Sequence, residues 1–194
     1  RRFRIEGDAP DGGRVSYANR FVRSRDFRWA RDRGRVRTTF PGTPPDRPVG
    51  VRLRQALGGE FPDNPIIGVR RLGDDHLAVT EAPTGFRIDP ATLSTRDPVA
   101  LGHDGGPVLA HLHGVPDAGS DGLSYELGVS YGRSTAFALL VRPDRTPAPA
   151  APEPEPVATL SFDDPPYVHS FGLTERYAVI PEPTVGLDTG ALLA

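Results

Sequence analysis

The stretch Pro166-Tyr167-Val168-His169-Ser170-Phe171-Gly172-Leu173-Thr174-Glu175-Arg176-Tyr177-Ala178-Val179-Ile180 sets one histidine at the mouth of an alternating run rich in aromatic and β-branched residues. Residues of that kind suit a half-buried pleated strand. A histidine at the entry of such a strand reads as a metal ligand, imidazole being the commonest protein ligand. The plainer reading, a strand-edge histidine hydrogen-bonded to backbone, stays open on these residues alone.

Outward from that run the chain repeats one plan, short apolar-polar strands between Gly, Pro and Asp turns, with almost no 3.6-residue period. Phe3 to Gly7 and Val15 to Phe21 flank Pro10-Asp11-Gly12-Gly13 and predict a hairpin. Ile66 to Arg71 and Leu77 to Thr80 repeat it around Gly73-Asp74-Asp75, and Val108 to Leu112 with Leu123 to Val129 repeat it again. Recurrent hairpins predict an all-β protein, and the pattern by itself allows either a propeller or a sandwich. One short helix is expected between Arg47 and Phe61, ended by Gly58-Gly59, and Thr38 to Pro48 reads as a long surface loop. Prolines at every second or third place across 146–157 predict a solvated, polyproline-like surface loop.

Composition removes several function classes. The formal net charge is −2, so no general attraction to nucleic acid or anionic lipid follows. The Arg-rich stretch from Arg20 to Arg37 carries Phe21, Phe27 and Trp29, but Asp26 and Asp32 interrupt it, and it reads as a charged hairpin face rather than a nucleic-acid patch. All 23 basic residues are arginine, and the absence of cysteine excludes disulfides, thiolate ligands and a cysteine nucleophile. No apolar run approaches the roughly 18 residues that span a bilayer. Gly102-His103-Asp104-Gly105-Gly106 lacks the lysine and the strand-to-helix setting of a phosphate loop.

Five histidines remain to carry chemistry. His111 and His113 stand two apart in an apolar strand and so face the same side. A pair of that kind belongs as readily to a structural or zinc site as to an iron centre. His76, beside the Gly73-Asp74-Asp75 turn, and His103 read as solvent-facing.

Five blocks, in order, resemble the carotenoid cleavage oxygenase family. Arg14 to Ser24 is similar to its "Y-x-N-R-F-V-R" strand and Asp63-Asn64-Pro65-Ile66-Ile67 to its "D-N-x-x-V" strand entry. Leu77-Ala78-Val79-Thr80-Glu81 with Ile88 to Thr95 resembles "C-T-E … D-P-x-T-L-E-T". Ala110-His111-Leu112-His113 with Leu123 to Gly132 resembles "A-H-P-H … Y-N-I-G", and Tyr167 to Val179 resembles "Y-V-H-S-F-x-L-T". Val79 replaces the family cysteine and Leu112 the proline between the histidines.

The resemblance implies roughly the first half of a seven-bladed β-propeller over 1–194, built of antiparallel hairpins. It implies one Fe(2+) per full-length protein, held by four histidines. His111 and His169 are the two ligands in this stretch, His113 is a neighbour that does not ligate, and Glu81 is the carboxylate that buttresses His169. No catalytic residue beyond the metal site and no other cofactor is implied. The implied reaction is oxidative cleavage of a conjugated carbon-carbon double bond of a carotenoid or apocarotenoid by dioxygen, in a cytoplasmic protein with peripheral membrane contact. The chain reads as an internal fragment, expected to be inactive alone because two imidazoles cannot replace four. Two other classes stay open: an inactive propeller interaction module, and a zinc hydrolase using His111 and His113.

Overall fold

The computed structural model describes residues 1–7, 13–35, 63–101, 108–116, 122–130, 135–145, 150–162, 166–168 and 170–185, the side chains at 108–116, 130 and 135 excepted. The expected helix between Arg47 and Phe61 and the expected loop from Thr38 to Pro48 lie outside the described residues. Strands β1 (Arg2–Glu6) and β2 (Arg14–Ala18) pair antiparallel, with Phe3 opposite Tyr17 and Ile5 opposite Val15. Period-2 alternation puts these four apolar side chains on one face of the hairpin.

The Arg-rich stretch is a correction: it holds helix α1 (Arg25–Arg33), not a hairpin face. Its caps outweigh the strand-like alternation. Ser24 is the N-cap, its Oγ accepting from Phe27 N at 3.0 Å, and Gly34 closes the helix at φ 65. Asp63 completes the cap from a distance, its carboxylate accepting from Arg25 N at 2.8 Å and Asp26 N at 3.0 Å. The Asp63-Asn64 pair therefore clips α1 to the entry of the first large sheet, and Ser24 Oγ donates to Asn64 Oδ1 at 2.6 Å. A negative charge there is favoured by the unpaired N–H groups of the first turn.

Two four-stranded antiparallel meanders follow. The first orders β3 (Gly68–Leu72), β4 (Asp75–Val79), β5 (Thr84–Ile88) and β6 (Thr95–Ala100). Gly73, at φ 55, makes the tight β3–β4 turn that Gly73-Asp74 predicts. The β5–β6 loop is organised by Asp89, whose Oδ1 accepts from Ala91 N at 2.9 Å and Thr92 N at 2.8 Å while Oδ2 accepts from Arg96 Nη2 at 2.5 Å. Those contacts hold its carboxyl down at about 2.

The second meander orders β7 (Val108–Pro116), β8 (Leu123–Ser130), β9 (Thr135–Pro143) and β10 (Glu155–Phe162). Here the surface-loop expectation for 146–157 is corrected in part. Residues 155–157 belong to β10, with Glu155 opposite Val141 and Pro156 opposite Leu140. Ala151 N donates to Ala100 O at 3.0 Å, and Pro154 is buried. The prolines are tolerated because β10 is an edge strand and Pro156 sits at a register shift, where no ladder donor is missed. Short strands β11 (Gly172–Leu173) and β12 (Ala178–Val179) close the described chain.

The central strands of the second meander, β8 and β9, are buried on both faces. Ala138 and Leu140 of β9 pack on Leu72, Leu77, Val79, Val99 and Leu101 of the first sheet region. On the opposite face Leu127, Val129 and Phe137 pack on Val168 and Phe171. Gly85 shows how tight the first sheet is, since a Cβ there would stand 2.8 Å from Leu101 Cδ1 and 3.4 Å from Ala78 O.

Gly85→Ala should therefore lose about 1–3 kcal/mol by overpacking, seen as a lower urea midpoint at unchanged m. A second expectation concerns Asp26, whose carboxyl is raised above 3.8 chiefly by burial and also by the charge of Asp63. An acid raised on folding weakens the fold as pH climbs through its folded value. Asp26→Asn keeps an acceptor for Asp63 N and should be the more stable protein at neutral pH, an advantage that melting curves should show vanishing below pH 3.8.

Candidate metal centre

Strand β7 is irregular where it carries His111. Its register against β8 shifts between Leu109 and His111 and again between His111 and Val115, which leaves His111 paired with Leu127 between two irregularities. Extra residues of this kind bend a strand and re-aim its side chains, and they gather beside functional sites. The side chains of His111 and His113 lie outside the described residues, as do His103 and His169. Among the described residues no cluster of three or more His, Cys, Asp or Glu is arranged to hold a metal.

What the described residues show is how the surrounding segments meet. Val168, next to His169, is 3% exposed and packs in one cluster with Leu127, the register partner of His111. Val168 and Leu127, the register partner of His111, thus meet in one apolar cluster. Glu81 is half-buried just after β4, and its negative charge acts on the same segment: the phenol of Tyr167 is raised by burial first and by Glu81 second. The third predicted residue therefore acts electrostatically on Tyr167, which precedes His169 by two positions in the sequence. His76, predicted to face solvent from a turn, is half-buried within β4 opposite Arg71 and Ile88.

Sequence reasoning missed the charged network behind this site. Glu126 of β8, fully buried, accepts from Arg70 of β3 on one carboxylate oxygen and from Arg142 of β9 at 2.6 Å on the other. Arg70 Nη2 also donates to Ser124 Oγ at 2.5 Å, and Arg142 donates to Leu101 O at 2.9 Å and Pro152 O at 3.0 Å. The available signal was alternation, since Ser124, Glu126 and Gly128 share the face of β8 opposite to Tyr125, Leu127 and Val129.

In Glu81→Gln, the Tyr167 phenol should titrate closer to 10.0, by the smaller of its two causes, in an ultraviolet tyrosinate titration. An unchanged titration would show that Glu81 is not beside this segment.

Comparison with known proteins bears on the same elements. The family model for retinal pigment epithelial membrane protein matches residues 1–193. The carotenoid isomerooxygenase of Drosophila melanogaster is 34% identical over 181 residues, covering 88% of this chain and 28% of the relative. The beta,beta-carotene 15,15'-dioxygenase of Gallus gallus is 28% identical over 191 residues, covering 91% of this chain and 36% of the relative. A mutant of Synechocystis apocarotenoid oxygenase superposes with a TM-score of 0.57 at 21% identity, over 92% of this chain and 36% of that one. The chain spans about a third of the length of these relatives. The structural likeness identifies the stacked meanders as part of a β-propeller, and the described residues are all-β but for α1. With the family model matched from end to end and the sequence blocks in place on β2, β4, β7 and the segment after β10, the chain belongs to the retinal pigment epithelial membrane protein family, that of the carotenoid cleavage oxygenases.

Proposed function

We propose that the complete protein is a non-haem iron(II) dioxygenase that cleaves a conjugated carbon-carbon double bond of a carotenoid or apocarotenoid, each new carbonyl taking one oxygen atom of dioxygen. Its relatives' names, a carotenoid isomerooxygenase and a carotene dioxygenase, support the substrate class. The observation that carries the reading is the packing of Val168 on Leu127, opposite His111, with the charge of Glu81 acting at Tyr167.

That arrangement fits a metal held by neutral imidazoles. His111 and His169 would hold the ion, and Glu81 would accept the remaining ring N–H of His169, fixing its tautomer and raising its basicity. Iron, when bound, supplies the activation of dioxygen beside the polyene. Leu127, Val129, Phe137 and Phe171 keep water from the surrounding cluster and offer an apolar wall suited to a hydrocarbon chain. Tyr167, raised above its usual 10.0, stays protonated at neutral pH, so it places no second negative charge beside Glu81. A cytoplasmic location with peripheral membrane contact belongs to the same proposal, because a carotenoid partitions into lipid. Among the described residues no helix is long and apolar enough to cross a membrane.

Metal analysis of the complete protein tests the assignment. His169→Ala should abolish iron retention while His113→Ala spares it, and Glu81→Gln should weaken iron binding by about 10-fold to 100-fold. Equal loss in the two histidine variants, or zinc in place of iron, would overturn it.

A further inference from the structure

We propose that Arg142, acting with Glu126, is a positioning residue for His111, a role that rests on the metal-site reading above. Between its two irregularities β7 has no regular ladder to fix it, and His111 is located through its pairing with Leu127. Leu127 follows Glu126 directly, so whatever anchors Glu126 anchors the backbone opposite the histidine. The anchor is the Arg142 guanidinium, which donates to Glu126 Oε2 at 2.6 Å and to Leu101 O at 2.9 Å. Leu101 directly follows β6, at the start of the chain that leads into β7. One planar group therefore ties the approach to β7 and the strand beside β7 into one geometry. Arg70 holds the other carboxylate oxygen from β3 and so sets the same strand against the neighbouring sheet.

The network is poorly arranged for stability alone. Arg70 Nε and Arg142 Nε are buried with no hydrogen-bond partner among the described residues, and all three side chains are within 3% of full burial. Buried ion pairs of this kind repay their desolvation poorly, whereas their fixed directions set geometry well. An apolar replacement would fill the space without choosing where β8 stops along its neighbours.

The test uses the complete protein and Arg142→Lys, which keeps the charge and loses the planar fork. In metal-free protein, backbone amides of 108–115 should exchange with deuterium about tenfold faster, while those of β1 and β2 keep their wild-type rates. In metal-loaded protein, iron affinity should fall about tenfold or more. Glu126→Gln, which preserves shape and one acceptor, should move both readouts the same way and serves where Arg142→Lys does not fold. Unchanged β7 exchange and unchanged iron retention in a folded variant, even with a lowered melting temperature, would reduce the network to a structural role and overturn the proposal. If the wild-type complete protein retains no iron, the metal-site reading falls by itself, and the exchange rates of β7 still decide whether Arg142 positions that strand.

Discussion

The Glu126 carboxylate, shared between Arg70 and Arg142 where the two large sheets meet, is the constraint on which the rest of this structure depends. Burial pulls the Arg142 guanidinium below its usual range, and the adjacent Glu126 opposes that pull. Removing one member of such a group strands an uncompensated charge, at about 3–5 kcal/mol for buried pairs. The apolar contacts nearby, Leu140 on Leu72 and Leu77 among them, supply attraction without direction. Two carboxylate oxygens, each meeting a different guanidinium, supply direction, and so the stacking of one sheet on the next has a single register.

From that junction the second sheet works as a partition. Every residue of β8 faces one of two environments because side chains alternate across a strand. Ser124 and Glu126 turn toward the first sheet and its Arg70, while Leu127 and Val129 turn toward Val168 and Phe171. Structural charge is thus kept on one side of a single strand and the apolar surroundings of the histidine-bearing segments on the other. The ion pairs that hold the blades together do not open onto the apolar cluster.

Aspartate does much of the local organising. Asp63 caps α1 from a segment far along the chain, Asp89 folds the β5–β6 loop around its own carboxylate, and Asp144 Oδ1 accepts from Gly73 N at 2.7 Å to tie the second sheet to the β3–β4 turn. In each case a short acidic side chain satisfies backbone N–H groups that a turn or helix end leaves open. The blocks Asp63-Asn64 and Asp89 to Thr95, which carried part of the family resemblance, are such devices, and their residue types follow from the turns they close.

Hairpins were legible because period-2 alternation and Gly-Asp turns are local signals, and β1 to β4, β7 and β8 fall where those signals lie. Helix α1 was not, since half of its cap comes from Asp63, and only Phe27, Trp29 and Ala30 of its nine residues are apolar. The last part of the proline-rich segment joined β10 because an edge strand leaves one row of backbone donors unused, a property of the sheet and not of the segment. Of the candidate site, the blocks that resemble the family named His111, His169 and Glu81, whereas the packing of Val168 with Leu127 arises only when distant strands stack. Local chemistry along the chain determined which elements form and which side chains suit a metal; tertiary structure alone decided which distant charges share a carboxylate, because that pairing depends on how two sheets exclude water between them.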